Sequence, residues 1–129
     1  MARQAAKTAS AAAARTDMLF VDDDPLIVES LALALQDDFA VLTAHSRSQA
    51  LHLLRRMEAV PSLALVDLGL PPHPHQPHEG YDLINDLLAM QPDMKILVLS
   101  GQNDAANIRH ALALGAVDFV PKPCDVPLL

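Results

Sequence analysis

Cysteine is almost missing from this chain. Cys124 is the only one, so no internal disulfide can form, and the usage fits a reducing compartment. Long apolar runs are missing too: no stretch approaches the roughly 20 residues that a membrane-spanning helix needs. Basic residues are few and unevenly placed. Arg3, Lys7 and Arg15 lie in residues 1–16, which contain no acid, leaving six Lys and Arg against 16 Asp and Glu in the remainder. So acidic a body offers few phosphate contacts, which argues against direct nucleic-acid binding, and it suits cations.

What is present is a soluble, globular composition, 51% hydrophobic and 19% charged over 129 residues. That length makes one domain with a real core. Residues 1–16 are Ala-rich and lack the long-sided apolar core of a secretory signal, so they read as a disordered tail or a cloning remnant, with the folded domain over 17–129.

From residue 18 onward, short apolar strands over 19–21, 40–43, 63–66, 96–99 and 118–120 alternate with four helical stretches. The first helix opens at Asp24-Pro25, an N-cap followed by proline at the first helical position, with Ile27, Leu31, Ala34 and Leu35 facing inward. The second opens with a capping-box pattern at Ser46 and Gln49 and buries Ala50, Leu53, Leu54 and Met57. The third carries Leu83, Ile84, Leu87 and Leu88 and stops before Pro92. The fourth carries Ile108, Ala111 and Leu112 and ends at Gly115. This alternation predicts a parallel sheet covered on both faces. After the last strand only one turn of a fifth helix fits before Leu129, which suggests a C-terminally truncated fragment of a longer protein. Residues 71–79 break the rhythm with four prolines and three histidines and read as a stiff surface loop following the third strand, on the edge where the strand-end carboxylates lie.

The chemistry concentrates at strand ends. Asp22 and Asp23 follow the first strand, and adjacent carboxylates there are kept mainly when something positive sits near them. Asp67 ends the third strand. If the first and third strands are neighbours, three carboxylates converge in outline as a Mg²⁺ site. Ser100 ends the fourth strand and Lys122 follows the fifth. Acids, a hydroxyl and an ammonium on one edge suit a phosphoryl group. His73, His75 and His78 are spaced closely enough to converge on Zn²⁺ or Ni²⁺, although a loop insertion is the simpler reading. Cys124 reads as structural filler.

Five motifs, VDDDP at 21–25, LVDLGLP at 65–71, VLSG at 98–101, GA at 115–116 and DFVPKP at 118–123, occur in the order found in response-regulator receiver domains, and the chain resembles that family over about residues 18–126. The resemblance implies a flavodoxin-like (CheY-like) α/β fold with strand order 2-1-3-4-5, helices on both faces and the fifth helix truncated. It implies that Asp67 is the phosphoacceptor, phosphorylated by a sensor histidine kinase or by small acyl-phosphate donors. Asp23, Asp67 and the Gly69 carbonyl would ligate Mg²⁺, with Asp22 acting through a bound water. Lys122 would pair with Asp67, Ser100 and Phe119 would form the switch, and the Lys122–Pro123 bond would be cis. The resemblance also implies a cytoplasmic signalling module, not an enzyme acting on a diffusible substrate, with intrinsic autophosphorylation and autodephosphorylation and dimerisation on phosphorylation.

A narrower similarity is to receivers of NtrC-type regulators, closest to those of PEP-CTERM and exopolysaccharide systems. It rests on LGLPP at 68–72, KILVLSGQND at 95–104 and GAVDFVPKP at 115–123. In that group a σ54-activating ATPase and a DNA-binding domain follow, so DNA would be reached only through an output domain beyond this sequence. Two alternatives compete. One is a Mg²⁺-dependent phosphohydrolase of the haloacid-dehalogenase type using Asp22 and Asp24. The other is a degenerate receiver acting as a scaffold. The sequence departs from the common pattern in having Ser100 where threonine is usual and in the insertion after Pro71.

Overall fold

The computed structural model describes residues 16–101 and 105–122. The expectations for the N-terminal tail up to residue 15, the Lys122–Pro123 bond, Cys124 and the truncated fifth helix lie outside these residues. Five strands and four helices alternate: β1 (Thr16–Val21), α1 (Pro25–Leu35), β2 (Phe39–Ala44), α2 (Arg47–Arg55), β3 (Leu63–Asp67), α3 (His78–Met90), β4 (Lys95–Ser100), α4 (Ala105–Leu114) and β5 (Asp118–Pro121). All pairings are parallel and the order is β2-β1-β3-β4-β5, as the alternation and the resemblance implied. Thr16 belongs to β1, where it pairs with Phe39; the strand begins earlier than its apolar run because backbone pairing with β2 continues past it.

Period-two alternation along the central strands builds two core layers. Leu19, Val21, Ala64, Val66, Ile96 and Val98 face α2, α3 and α4, where Leu54, Leu83, Ile84, Leu87 and Ala111 are buried. Met18, Phe20, Leu65 and Leu99 face the other way, against Val28, Ile27 and Leu31 of α1. Among the described residues α1 alone covers this second face. Leu83 is fully buried in the larger layer. Leu83→Ala is therefore expected to lower the unfolding free energy by about 2–5 kcal/mol in urea titration, through the transfer energy forfeited and the residual cavity.

The helix ends form as their residues dictate. The Asp24 side chain accepts from the Leu26 N–H at 3.0 Å with Pro25 next in line. Ser46 accepts from the Gln49 N–H at 3.0 Å, while the Gln49 side chain accepts from the His45 N–H, one residue before the cap. Gly115 closes α4 at φ +129°, a region costly for any side chain.

Four details differ from the sequence reading. Val28, not Ala34, is the buried residue of α1, because the helix turns Ala34 to solvent. Leu112 of α4 is exposed, and Leu114 packs on the core in its place. Met57 packs on the core from beyond the end of α2. The loop after β3 is also shorter than 71–79. Pro77 sits at the N-cap position and His78 and Glu79 already form the first turn of α3, which proline before a helix start permits.

Candidate functional site

The order β2-β1-β3 makes β1 and β3 neighbours whose chains leave in opposite directions, β1 toward β2 and β3 toward β4. The crevice between their carboxyl ends is where open α/β sheets place ligands. The acids arrive there because each ends or follows its strand. The Asp22 N–H still donates to Ala44 O at 3.1 Å, extending the ladder with β2 one residue past β1. The Asp22 Oδ1 then accepts from the Asp24 N–H at 2.9 Å, closing a turn into α1. Asp67 is the last residue of β3, and its Oδ1 accepts from the Gly69 N–H at 3.3 Å.

Ligand atoms of Asp22, Asp23 and Asp67 all fall within 4.8 Å of one another. Asp22 is wholly buried and Asp67 nearly so; Asp23 is half-buried. Asp22 Oδ2 is buried without a hydrogen-bond partner, an arrangement that costs on the order of 1–3 kcal/mol unless something positive satisfies it. Three hard oxygen donors with one orphaned acceptor fit a small divalent cation such as Mg²⁺. No other group of three or more His, Cys, Asp and Glu among the described residues meets this test, so His73, His75 and His78 do not converge on a metal.

Lys122 follows β5 and reaches the same point from the far side. Its N–H donates to Ser100 O at 2.7 Å, carrying the chain past β4, and its Nζ lies 3.3 Å from Asp67 Oδ2. Burial pushes the Asp67 carboxyl up, and the charge of Asp22 adds to it; the Lys122 ammonium and the Gly69 N–H pull the other way, leaving it at about 7. Asp22 is raised as well, by burial above all, against the Asp24 N–H and Lys122. Burial works against the Lys122 ammonium, but Asp67 and Asp22 together hold its pKa above the usual lysine range.

A cavity of about 230 Å³ opens over these groups. Asp23, Asp67, Gly69 and Lys122 line it, and Asp22 lies beneath. Ser100 is buried at the end of β4. Phe119 is 44% exposed on β5, so it is not the core residue that a phenylalanine in a strand usually is. His75, Gln76 and Asn107 also line the cavity; the sequence marked His75 only as a candidate Zn²⁺ or Ni²⁺ ligand and did not mark Gln76 or Asn107. The loop itself stands where the sequence put it, after the third strand on the edge of the carboxylates; Asn107, on α4, carries no sequence signal. Asp22 is sealed from solvent, which leaves the hydrolase alternative without an accessible nucleophile.

Fold and site together define a doubly wound parallel α/β domain with an acidic, cation-fitting cleft at its topological switch point. Residues 18–129 match the family model of the response regulator receiver domain, and the chain belongs to that family. It is 32% identical over 109 residues to the photosynthetic apparatus regulatory protein RegA of Cereibacter sphaeroides, covering 84% of this chain and 55% of that protein. It is 31% identical over 109 residues to the alginate biosynthesis transcriptional regulatory protein AlgB of Pseudomonas aeruginosa, covering 84% of this chain and 23% of that protein. The receiver domain of NtrX from Brucella abortus superposes with a TM-score of 0.72 at 25% identity, covering 86% of this chain and 89% of that one. The chain spans about half the length or less of the curated relatives it matches. It is thus a receiver domain of the two-component response-regulator kind, with NtrC-type regulators among its relatives. Among the described residues, no helix is long and apolar enough to cross a membrane.

Proposed function

We propose that the domain takes a phosphoryl group from the phosphohistidine of a sensor histidine kinase onto Asp67, in the presence of Mg²⁺, and so switches an output domain. The 3.3 Å approach of Lys122 Nζ to a nearly buried Asp67 beside two further carboxylates carries this reading. An Asp67 carboxylate oxygen bonds to phosphorus as the P–N bond breaks, and the bonding pair returns to the imidazole. Lys122 pairs first with the carboxylate and then with the phosphoryl oxygens as negative charge moves outward. The Ser100 hydroxyl donates to a phosphoryl oxygen. Asp22, Asp23, Asp67 and the Gly69 carbonyl would hold the metal, Asp22 through a water. Mg²⁺, when bound, supplies hard positive charge that favours the ionised Asp67 and neutralises phosphoryl oxygens.

Small acyl phosphates serve as alternative donors, because the chemistry needs only an activated phosphoryl group. Repositioning of Ser100 and Phe119 passes the change to the outer face, promotes pairing of two copies and drives an output domain in σ54-dependent transcription activation. Such a protein works in the cytoplasm. Incubation with Mg²⁺ and acetyl phosphate, followed by intact-mass mapping, is expected to show one phosphoryl adduct that is lost without Mg²⁺ and in Asp67→Asn. An adduct surviving that substitution, or none on the wild type, would sink Asp67 as acceptor and favour the scaffold reading.

A further inference from the structure

The carboxylate cavity has one wall built from the proline and histidine insertion. Its start is anchored by Leu70, which is fully buried. Two turns then fold it back: the His73 N–H donates to Leu70 O at 3.1 Å and the Gln76 N–H to His73 O at 3.0 Å. The wall lies against the residue two past Asp67. A Cβ on Gly69 would overlap Pro74 O, so only glycine leaves room for this path. At its far end the Gly80 N–H donates to Leu68 O at 3.1 Å. Prolines at 71, 72, 74 and 77 hold their φ angles and limit the conformations left to the segment.

Charge gives this wall a use. Asp23, Asp24 and Asp67 line the cavity, so an incoming phosphoryl donor meets carboxylates. The side chains lining it that can donate N–H bonds are Lys122, His75, Gln76 and Asn107. Lys122 is already engaged with Asp67, and Asn107, whose amide oxygen accepts from the Tyr81 hydroxyl at 3.2 Å, belongs to α4 rather than to the insertion. The His75 imidazole and the Gln76 amide are the N–H donors that the insertion itself brings to the cavity, on a wall whose other described lining residues, Pro74 and Pro77, carry no charge.

We propose that His75 and Gln76 contact the incoming phosphoryl donor and determine which donors reach Asp67; this rests on the reading of Asp67 as acceptor. The two side chains hydrogen-bond the oxygens or leaving group of the donor as it enters, before the Asp67–phosphorus bond forms. They are specificity residues at the entrance and take no part in bond making.

The test uses the full chain with saturating Mg²⁺ and two small donors of different leaving group, acetyl phosphate and phosphoramidate. Initial phosphorylation rate is followed against donor concentration by intact mass. The double substitution His75→Ala with Gln76→Ala is expected to raise the half-saturating concentration of at least one donor about tenfold, the loss of a charge-assisted hydrogen bond. Gln76→Glu, similar in size but an acceptor facing an anion, is expected to do the same while keeping the wall's packing. Gln76→Asn, which retains the amide, is expected to stay near wild type, as is His52→Ala at an exposed position of α2. Thermal stabilisation by Mg²⁺ in each variant reports whether the acidic cluster is intact. If the double variant loses that stabilisation, Gln76→Glu decides. Unchanged half-saturation for both donors in Gln76→Glu overturns the proposal while leaving Asp67 as acceptor. A wild type that gains no phosphoryl group from either donor overturns both readings together.

Discussion

Asp67→Asn is expected to make the metal-free protein more stable at pH 8, by about 2 kcal/mol in urea titration with a chelator present. The folded carboxyl sits at about 7 against 3.8 for an ordinary aspartate. The folded protein therefore holds a proton that the unfolded chain releases as pH rises from 3.8 toward 7. Stability contributed by this group is present below the unfolded value, declines across that window and is gone above the folded one. At 1.36 kcal/mol per unit the ceiling is roughly 4 kcal/mol, already net of the attraction of Lys122, and relaxation and water entry around the buried charge lower it further. Asparagine does not titrate, so the gap between variant and wild type widens from pH 4 to pH 8. Mg²⁺ reverses the order: it is expected to stabilise the wild type strongly and the variant weakly, because it binds a carboxylate set that the variant has broken. A variant less stable than wild type at pH 8 without metal would contradict the burial and the repulsion from Asp22 on which this rests.

Gly80→Ala is expected to cost about 3 kcal/mol or more, a large value for adding one methyl group. A Cβ there overlaps Leu68 Cα and falls 2.7 Å from Leu68 O, both backbone atoms that cannot swing aside. Helix α3 must move off the segment that follows Asp67, and the Gly80 to Leu68 hydrogen bond goes with it. The damage is local to the site as well as global, because Leu68 and Gly69 form the cavity floor beside Asp67. Gly115→Ala makes the comparison. Its Cβ meets only the tip of the Leu88 side chain, at 2.5 Å, so the expected loss is the backbone strain of φ +129°, about 1–2 kcal/mol. Denaturant midpoints of the two variants, measured side by side, separate a backbone clash from a strained dihedral. Equal losses would mean that the packing of α3 against Leu68 yields more easily than its geometry implies.

Much of this was legible because local chemistry and global fold agree. Asp24-Pro25, Ser46 with Gln49 and Gly115 act over three or four residues, and each does in the structure what its neighbours in sequence imply. The buried runs in β1, β3 and β4 are long enough to mark central parallel strands without any partner being known. Helix faces were less certain. Residues of α1 at the edge of its apolar stripe, Val28 and Ala34, traded places, since a few degrees of helix rotation decides which is covered.

The chain by itself determined the element order, the caps and the set of acids at strand ends, since these follow from side-chain type, spacing and backbone preference. Only the tertiary structure decided how those acids meet: Asp22 sealed with an orphaned oxygen, Asp67 lifted to about 7, and Lys122 brought within 3.3 Å from 55 residues away. It also decided which residues of the exposed insertion after β3, Pro74 to Pro77, line the cavity. Burial, field and long-range contact depend on what lies across space from a residue, which neighbours along the sequence do not specify.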